Sequence, residues 1–214
     1  MAGSSAALSY NESFIGKCAE AFMRTATCFR FAAFVPPFLM AGSVFAQQPG
    51  IDPGSMAKVK RGEYLAATGH RNDCHSPKLM TANGPVPDPK LLLSGHPAAI
   101  KLPPMPDKII GPASWGGVFT NDLTAWSGPW GTSFAANLTP DRETGIGNWT
   151  EQTFTQAMRT GKHLGVGRAI LPPMPWYNVA RLSDEDLSAL FAYLKALPPV
   201  KNAVPGPIPP NNGK

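Results

Sequence analysis

The sequence predicts an all-α protein, a few helices joined by a long Pro/Gly-rich loop that wraps an apolar object. Three observations predict it. Proline (24) and glycine (21) make up about a fifth of the 214 residues, and proline bars helix interiors while stiffening connections. Three stretches carry helical spacing with start and stop signals. Between the first two, prolines from Pro85 to Pro140 leave little room for helix, yet Trp115, Trp126 and Trp130 lie there. Tryptophans in an irregular loop need something apolar to pack against, and so long a loop is acceptable in a compact domain only if it wraps something.

Taken in order, the chain opens with Lys17, Arg24 and Arg30 before an interrupted apolar run from Phe31 to Phe45. Val44-Phe45-Ala46 fits the small-residue pattern of a signal-peptidase site, with the cut after Ala46. Residues 1–46 read as a signal peptide, with Met23 as an alternative start, and the run is too short and broken for a spanning helix. Residues 47–55 form a polar leader. A helix is expected from Met56 to about Thr68, stopped by Gly69. Lys78 to Asn148 reads as loop. Thr150 caps a second helix that ends near Thr160 at Gly161. Ile170 to Trp176 reads as extended, since prolines flank Met174. Ser183 caps the last helix, with Asp186 as its capping-box carboxylate. Leu187, Leu190, Phe191, Leu194 and Leu197 form its buried stripe, and Pro198-Pro199 ends it. One domain, 56–203, is followed by a flexible tail, 204–214.

Composition excludes several classes. Hydrophobic residues reach 43% and charged residues only 15%, too apolar for a disordered chain and too poor in charge for a coiled coil. The net charge of +5 is thinly spread, which reads as ordinary solubility and excludes a nucleic-acid partner. No G-x-G-x-x-G follows a strand, so the chain is not a dinucleotide-dependent dehydrogenase by itself.

Cleavage after Ala46 removes Cys18 and Cys28 and leaves Cys74 alone. A lone exported thiol forms no internal disulfide, so it is either free or covalently used. Cys74-His75 matches the last two positions of C-x-x-C-H, the haem attachment motif in which two thiols add to the vinyl groups and the histidine ligates iron. Arg71 stands at the first cysteine position. A Cys-His pair alone is a weak signal. It is strengthened by the glycine-ended helix before it, by a proline-flanked methionine far downstream, and by the amphipathic helix after that methionine. A thioether opposite histidine raises an iron potential.

From about Val59 to Asn202 the chain resembles the monohaem class I cytochromes c of bacterial periplasms. The resemblance rests on Arg61-Gly62-Glu63-Tyr64-Leu65, Asn72 to Pro77, Trp126 to Gly131, Asn137 to Asp141, Thr144 to Thr150, Arg159 to His163, Leu171 to Trp176 and Leu182 to Leu187. It implies a cytochrome c-like fold around one haem c. It also implies His75 and Met174 as the metal ligands, and Cys74, His75 and Met174 as the cofactor-binding residues. Arginine has no thiol, so attachment would rest on one thioether through Cys74. The implied role is a periplasmic single-electron carrier, not an enzyme, serving a periplasmic dehydrogenase and a terminal electron acceptor, with membrane contact only through partners or an uncleaved signal.

Met105, in Pro103-Pro104-Met105-Pro106, competes with Met174 as ligand, and Met80 lies too close to His75 to reach the opposite haem face. His70 and His163 read as edge or capping residues. The tryptophans read as crevice packing, with Trp130 or Trp176 able to donate an indole N–H to a propionate. Two alternatives stay open: a haem-based sensor or peroxidase if Met174 is displaced, and a haem-less paralogue because of Arg71.

Overall fold

The computed structural model describes residues 53–104 and 116–210, all within the unit Gln48–Lys214. The expected signal peptide, Met105 and Trp115 lie outside the described residues.

Three helices build the core. Helix α1 (Pro53–Thr68) buries Gly62, Leu65 and Ala66. Helix α3 (Glu151–Thr160) starts where Thr150 Oγ1 accepts the Thr153 N–H at 3.0 Å. It ends at Gly161, whose left-handed φ of 65° lets its N–H reach the Ala157 carbonyl. Helix α5 (Asp184–Ala196) starts at Ser183, whose Oγ accepts the Asp186 N–H at 3.1 Å. The Asp186 carboxylate does not complete a capping box. It takes a two-pronged pair from Arg61 of α1 at 2.8 and 3.2 Å instead, since a forked charge-assisted pair outcompetes one neutral N–H. Phe154, Ala157 and Met158 of α3 meet Leu187, Leu190, Phe191 and Leu194 of α5, with Ala66, Leu93 and Ile146 closing the cluster.

The all-α expectation is overturned. Strands β1 (Lys78–Thr81) and β2 (Gly84–Pro87) pair antiparallel across a two-residue turn at Ala82 and Asn83. Strands β3 (Val118–Phe119), β4 (Ala125–Gly128) and β5 (Gly131–Phe134) form a second antiparallel sheet in that order. About 35% of the described residues are helical and 14% extended, a mixed fold. The physical reason is that proline excludes helix interiors but is tolerated on strand edges and at turns. Pro85 and Pro87 stand on a two-stranded edge, and Pro129 sits in the β4–β5 turn. Two single-turn α-helices, α2 (Arg71–His75) and α4 (Trp176–Val179), and a 3-10 turn at His163–Gly165 are the other helical elements among the described residues. The end of the chain returns along β5, where Thr132 and Ile208 exchange backbone hydrogen bonds at 2.8 and 2.9 Å.

No helix among the described residues is long and apolar enough to cross a membrane.

Candidate functional site

Helix α1 ends at the turn that carries Cys74 and His75. The Gly69 N–H closes α1 on the Leu65 carbonyl at 3.0 Å, and His70 takes a left-handed φ of 55° that redirects the chain into α2. One turn of helix leaves its last carbonyls without helical partners. Here those of Asn72, Asp73 and His75 are captured, and so is that of Ser76 just beyond the helix. Lys78 Nζ donates to the carbonyls of Asn72 and Asp73 at 2.9 Å and of Ser76 at 2.5 Å. The Gly95 N–H donates to the His75 carbonyl at 2.7 Å. Ser76, fully buried, donates to Asn72 Oδ1 at 3.0 Å and accepts the Leu93 N–H at 2.8 Å.

The His75 ring is buried. Its Nδ1 lies 2.8 Å from the Ala136 carbonyl. A carbonyl only accepts, so Nδ1 carries the proton and Nε2 keeps its lone pair. Burial holds the ring pKa down to about 4, the Ala136 bond opposes that, and the cationic Arg71 and Lys78 add to it. The ring is therefore neutral near pH 7. Among the described residues no hydrogen bond to Nε2 is formed. Cys74 is half-buried and free. Burial pushes its thiol pKa up, and Asp73 adds to the shift.

Met174 follows the cis Pro172–Pro173 peptide and packs, partly buried, against the helical core beside Leu138, Trp149 and Ile170. Its loop is tied to β5 by Ser133 Oγ, which donates to the Pro172 carbonyl at 2.5 Å. The segment after β5 holds His75 through Ala136. Thus one extended stretch fixes the Met174 loop at Ser133 and His75 three residues later.

The remaining sites divide plainly. Met80 is exposed on β1. His70 is exposed at the α1–α2 corner. His163 is exposed and stands edge-on to Trp149, with centroids 5.3 Å apart. The Trp130 indole N–H goes to Ser133 Oγ at 3.3 Å. Arg71 is 9% exposed, and its Nη1 makes a long contact to the Leu65 carbonyl at 3.4 Å. Among the described residues it pairs with no carboxylate.

Sequence reasoning missed Lys78, Ser76, Ser133 and His96. A lysine shortly after a one-turn helix could have signalled a C-terminal cap; the others act through long-range contacts with no local signal. His96 is fully buried, and its Nδ1 is 2.7 Å from Thr124 Oγ1, which in turn donates to Asp122 Oδ2 at 2.7 Å. Its Nε2 is enclosed without a hydrogen bond.

The donor chemistry fits a haem iron. A buried neutral imidazole offers one bare nitrogen, its other nitrogen is pinned to a carbonyl as metal-ligating histidines require, and a thioether and a thiol are available in the same domain. Among the described residues no three His, Cys, Asp or Glu side chains cluster as for a bare metal ion.

No family model matches the chain. Curated relatives do. The chain is 32% identical over 157 residues to one subunit of the nicotinate dehydrogenase of Pseudomonas putida, covering 73% of this chain and 10% of that one. It is 33% identical over 153 residues to the gluconate 2-dehydrogenase cytochrome c subunit of Pantoea cypripedii, covering 71% and 26%. A segment of 65 residues is 46% identical to the cytochrome c subunit of the quinone alcohol dehydrogenase of Gluconobacter oxydans, covering 30% and 13%. The chain thus spans at most about a quarter of the length of these relatives. The Pantoea and Gluconobacter relatives are named as cytochrome c subunits of dehydrogenases.

Proposed function

On the footing that this chain is of the cytochrome c kind, kin to dehydrogenase subunits, we propose that it is an exported single-electron carrier. His75 and Met174 would ligate the iron and Cys74 would hold the haem through one thioether. The signal peptide of residues 1–46 would deliver the chain to the periplasm. There it would take electrons from a dehydrogenase and hand them to a terminal acceptor.

The observation that carries this reading is the His75 ring, with Nδ1 held by Ala136 at 2.8 Å and burial keeping it neutral. Bound haem supplies a reversible one-electron couple. The chain's own residues do the rest. Lys78, Gly95 and Ser76 fix the turn, so His75 does not reorient. Ser133 holds the Met174 loop. The apolar core packs against Met174.

The test is intact mass under denaturing conditions, with an alkaline pyridine spectrum, on protein exported in a host with haem-attachment machinery. The expected result is the cleaved chain plus one haem and a spectrum between b and c types. Replacing Met174 by alanine should then open the iron to carbon monoxide. Burial of Arg71 at the first attachment position favours a second reading, a haem-less chain. A bare mass and a colourless protein would establish it and sink the carrier.

A further inference from the structure

Arg71 and His75 are the first and last residues of α2, four positions apart, and both are buried. Residues at i and i+4 share a helix face, with Cβ atoms about 5–6 Å apart. The guanidinium stays protonated despite burial, because its ordinary pKa is so far above neutrality. Among the described residues nothing neutralises it. Its one hydrogen bond goes to a backbone carbonyl at 3.4 Å, and none of the ion pairs among those residues includes it. Gly69 leaves the space it occupies; a Cβ there would stand 2.1 Å from Arg71 Nη1. The side chain is therefore folded back over the end of α1 rather than directed at solvent. An unpaired cation in this setting is screened little by salt.

We propose that Arg71 is a potential-setting residue: its buried, unpaired guanidinium, carried one helical turn before His75, raises the reduction potential of the iron that His75 holds. This rests on the carrier reading above. The argument is one of charge. The oxidised iron carries one more positive charge than the reduced iron. A fixed cation nearby therefore penalises the oxidised state more. At roughly 10 Å and an effective dielectric of about 20, one charge shifts such an equilibrium by on the order of tenfold.

The experiment compares full-length wild type with Arg71→Gln, Arg71→Met, Arg71→Lys and Lys60→Gln, each exported in the same host. Lys60 is exposed on α1, so its loss changes net charge equally without removing a buried cation. Haem stoichiometry is read by intact mass, folding by far-ultraviolet circular dichroism, and midpoint potential by optical redox titration at two ionic strengths. Both neutral variants are expected to lose about tenfold in the reduction equilibrium, ~59 mV for one electron, at either ionic strength. Arg71→Lys keeps most of the wild-type value, and Lys60→Gln moves it little. If a neutral variant does not fold, the other and the lysine variant still carry the comparison. Haem-loaded variants with unmoved potential, or an equal shift from Lys60→Gln, overturn the inference and leave the carrier reading intact. A wild-type chain without haem overturns both.

Discussion

Gly62 is the position where α1 and α5 touch backbone to backbone. A Cβ built there would lie 2.0 Å from the Ala189 carbonyl oxygen, 2.6 Å from its carbon and 2.7 Å from Tyr193 Cβ. Replacing Gly62 by alanine sets two effects against each other. Helix propensity alone favours alanine by about 1 kcal/mol. Relieving the clash means moving the helices apart by about 1.4 Å, the gap between 2.0 Å and ordinary contact near 3.4 Å. The obstacle is backbone, which cannot swing aside, so the overpacking cost sits near the upper end of its usual range, about 3 kcal/mol. Packing wins, and the net loss is about 2 kcal/mol. For a domain of this size that lowers Tm by roughly 4–8 °C. Thermal unfolding followed by far-ultraviolet circular dichroism, wild type beside Gly62→Ala, reads the sign directly. An unchanged or raised Tm would refute the reasoning, because it would mean that propensity governs and that α1 and α5 do not meet at this glycine.

Further expectations are open to similar measurement. Ser183→Ala removes the acceptor of the Asp186 N–H and should lower stability by about 1 kcal/mol in denaturant unfolding; Ser183→Asp should restore it. Lys78→Met frees three carbonyls of the Cys74–His75 turn. Partial solvent access limits the loss to about 1–2 kcal/mol, and a loss no greater than that of Lys60→Met would argue against a capping role. Asn202 donates to the Ser94 and His96 carbonyls at 2.7 and 2.9 Å and accepts the Ala98 N–H at 2.9 Å; Asn202→Ala should cost about 2–3 kcal/mol. Burial keeps the His96 pKa below its ordinary 6.5, with Asp122 acting in the opposite direction. The folded chain therefore binds fewer protons there than the unfolded one. This stability is present above pH 6.5 and is lost as pH falls below it. Tm measured across that window should drop more steeply for wild type than for His96→Asn.

The helices were legible because their signals are local. Thr150, Gly161 and Ser183 act on backbone groups within one turn, and the 3.6-residue stripe of α5 marks its own buried side. The strands were not. They pair with their neighbours across turns of two to five residues hidden among prolines, and β3 is only two residues long. The Cys74–His75 pair was readable as a motif, but what holds it was not. Gly95 and Ala136 act through main-chain groups, which no side-chain pattern reveals. The Asp186 carboxylate illustrates the opposite error: a local rule gave it a capping role, and Arg61, 125 residues away in sequence, claimed it.

The return of the chain along β5 has a meaning for self-association. A three-stranded sheet has two open edges, each a template for another chain. On the β5 side Thr132 already spends its N–H and carbonyl on Ile208, and Pro207, Pro209 and Pro210 around that contact lack the N–H groups an incoming strand would need. The segment is thus a built-in stopper. A chain shortened before Pro205 would keep its helical core yet expose a sticky margin, so its first failure would be oligomers joined edge to edge rather than unfolding.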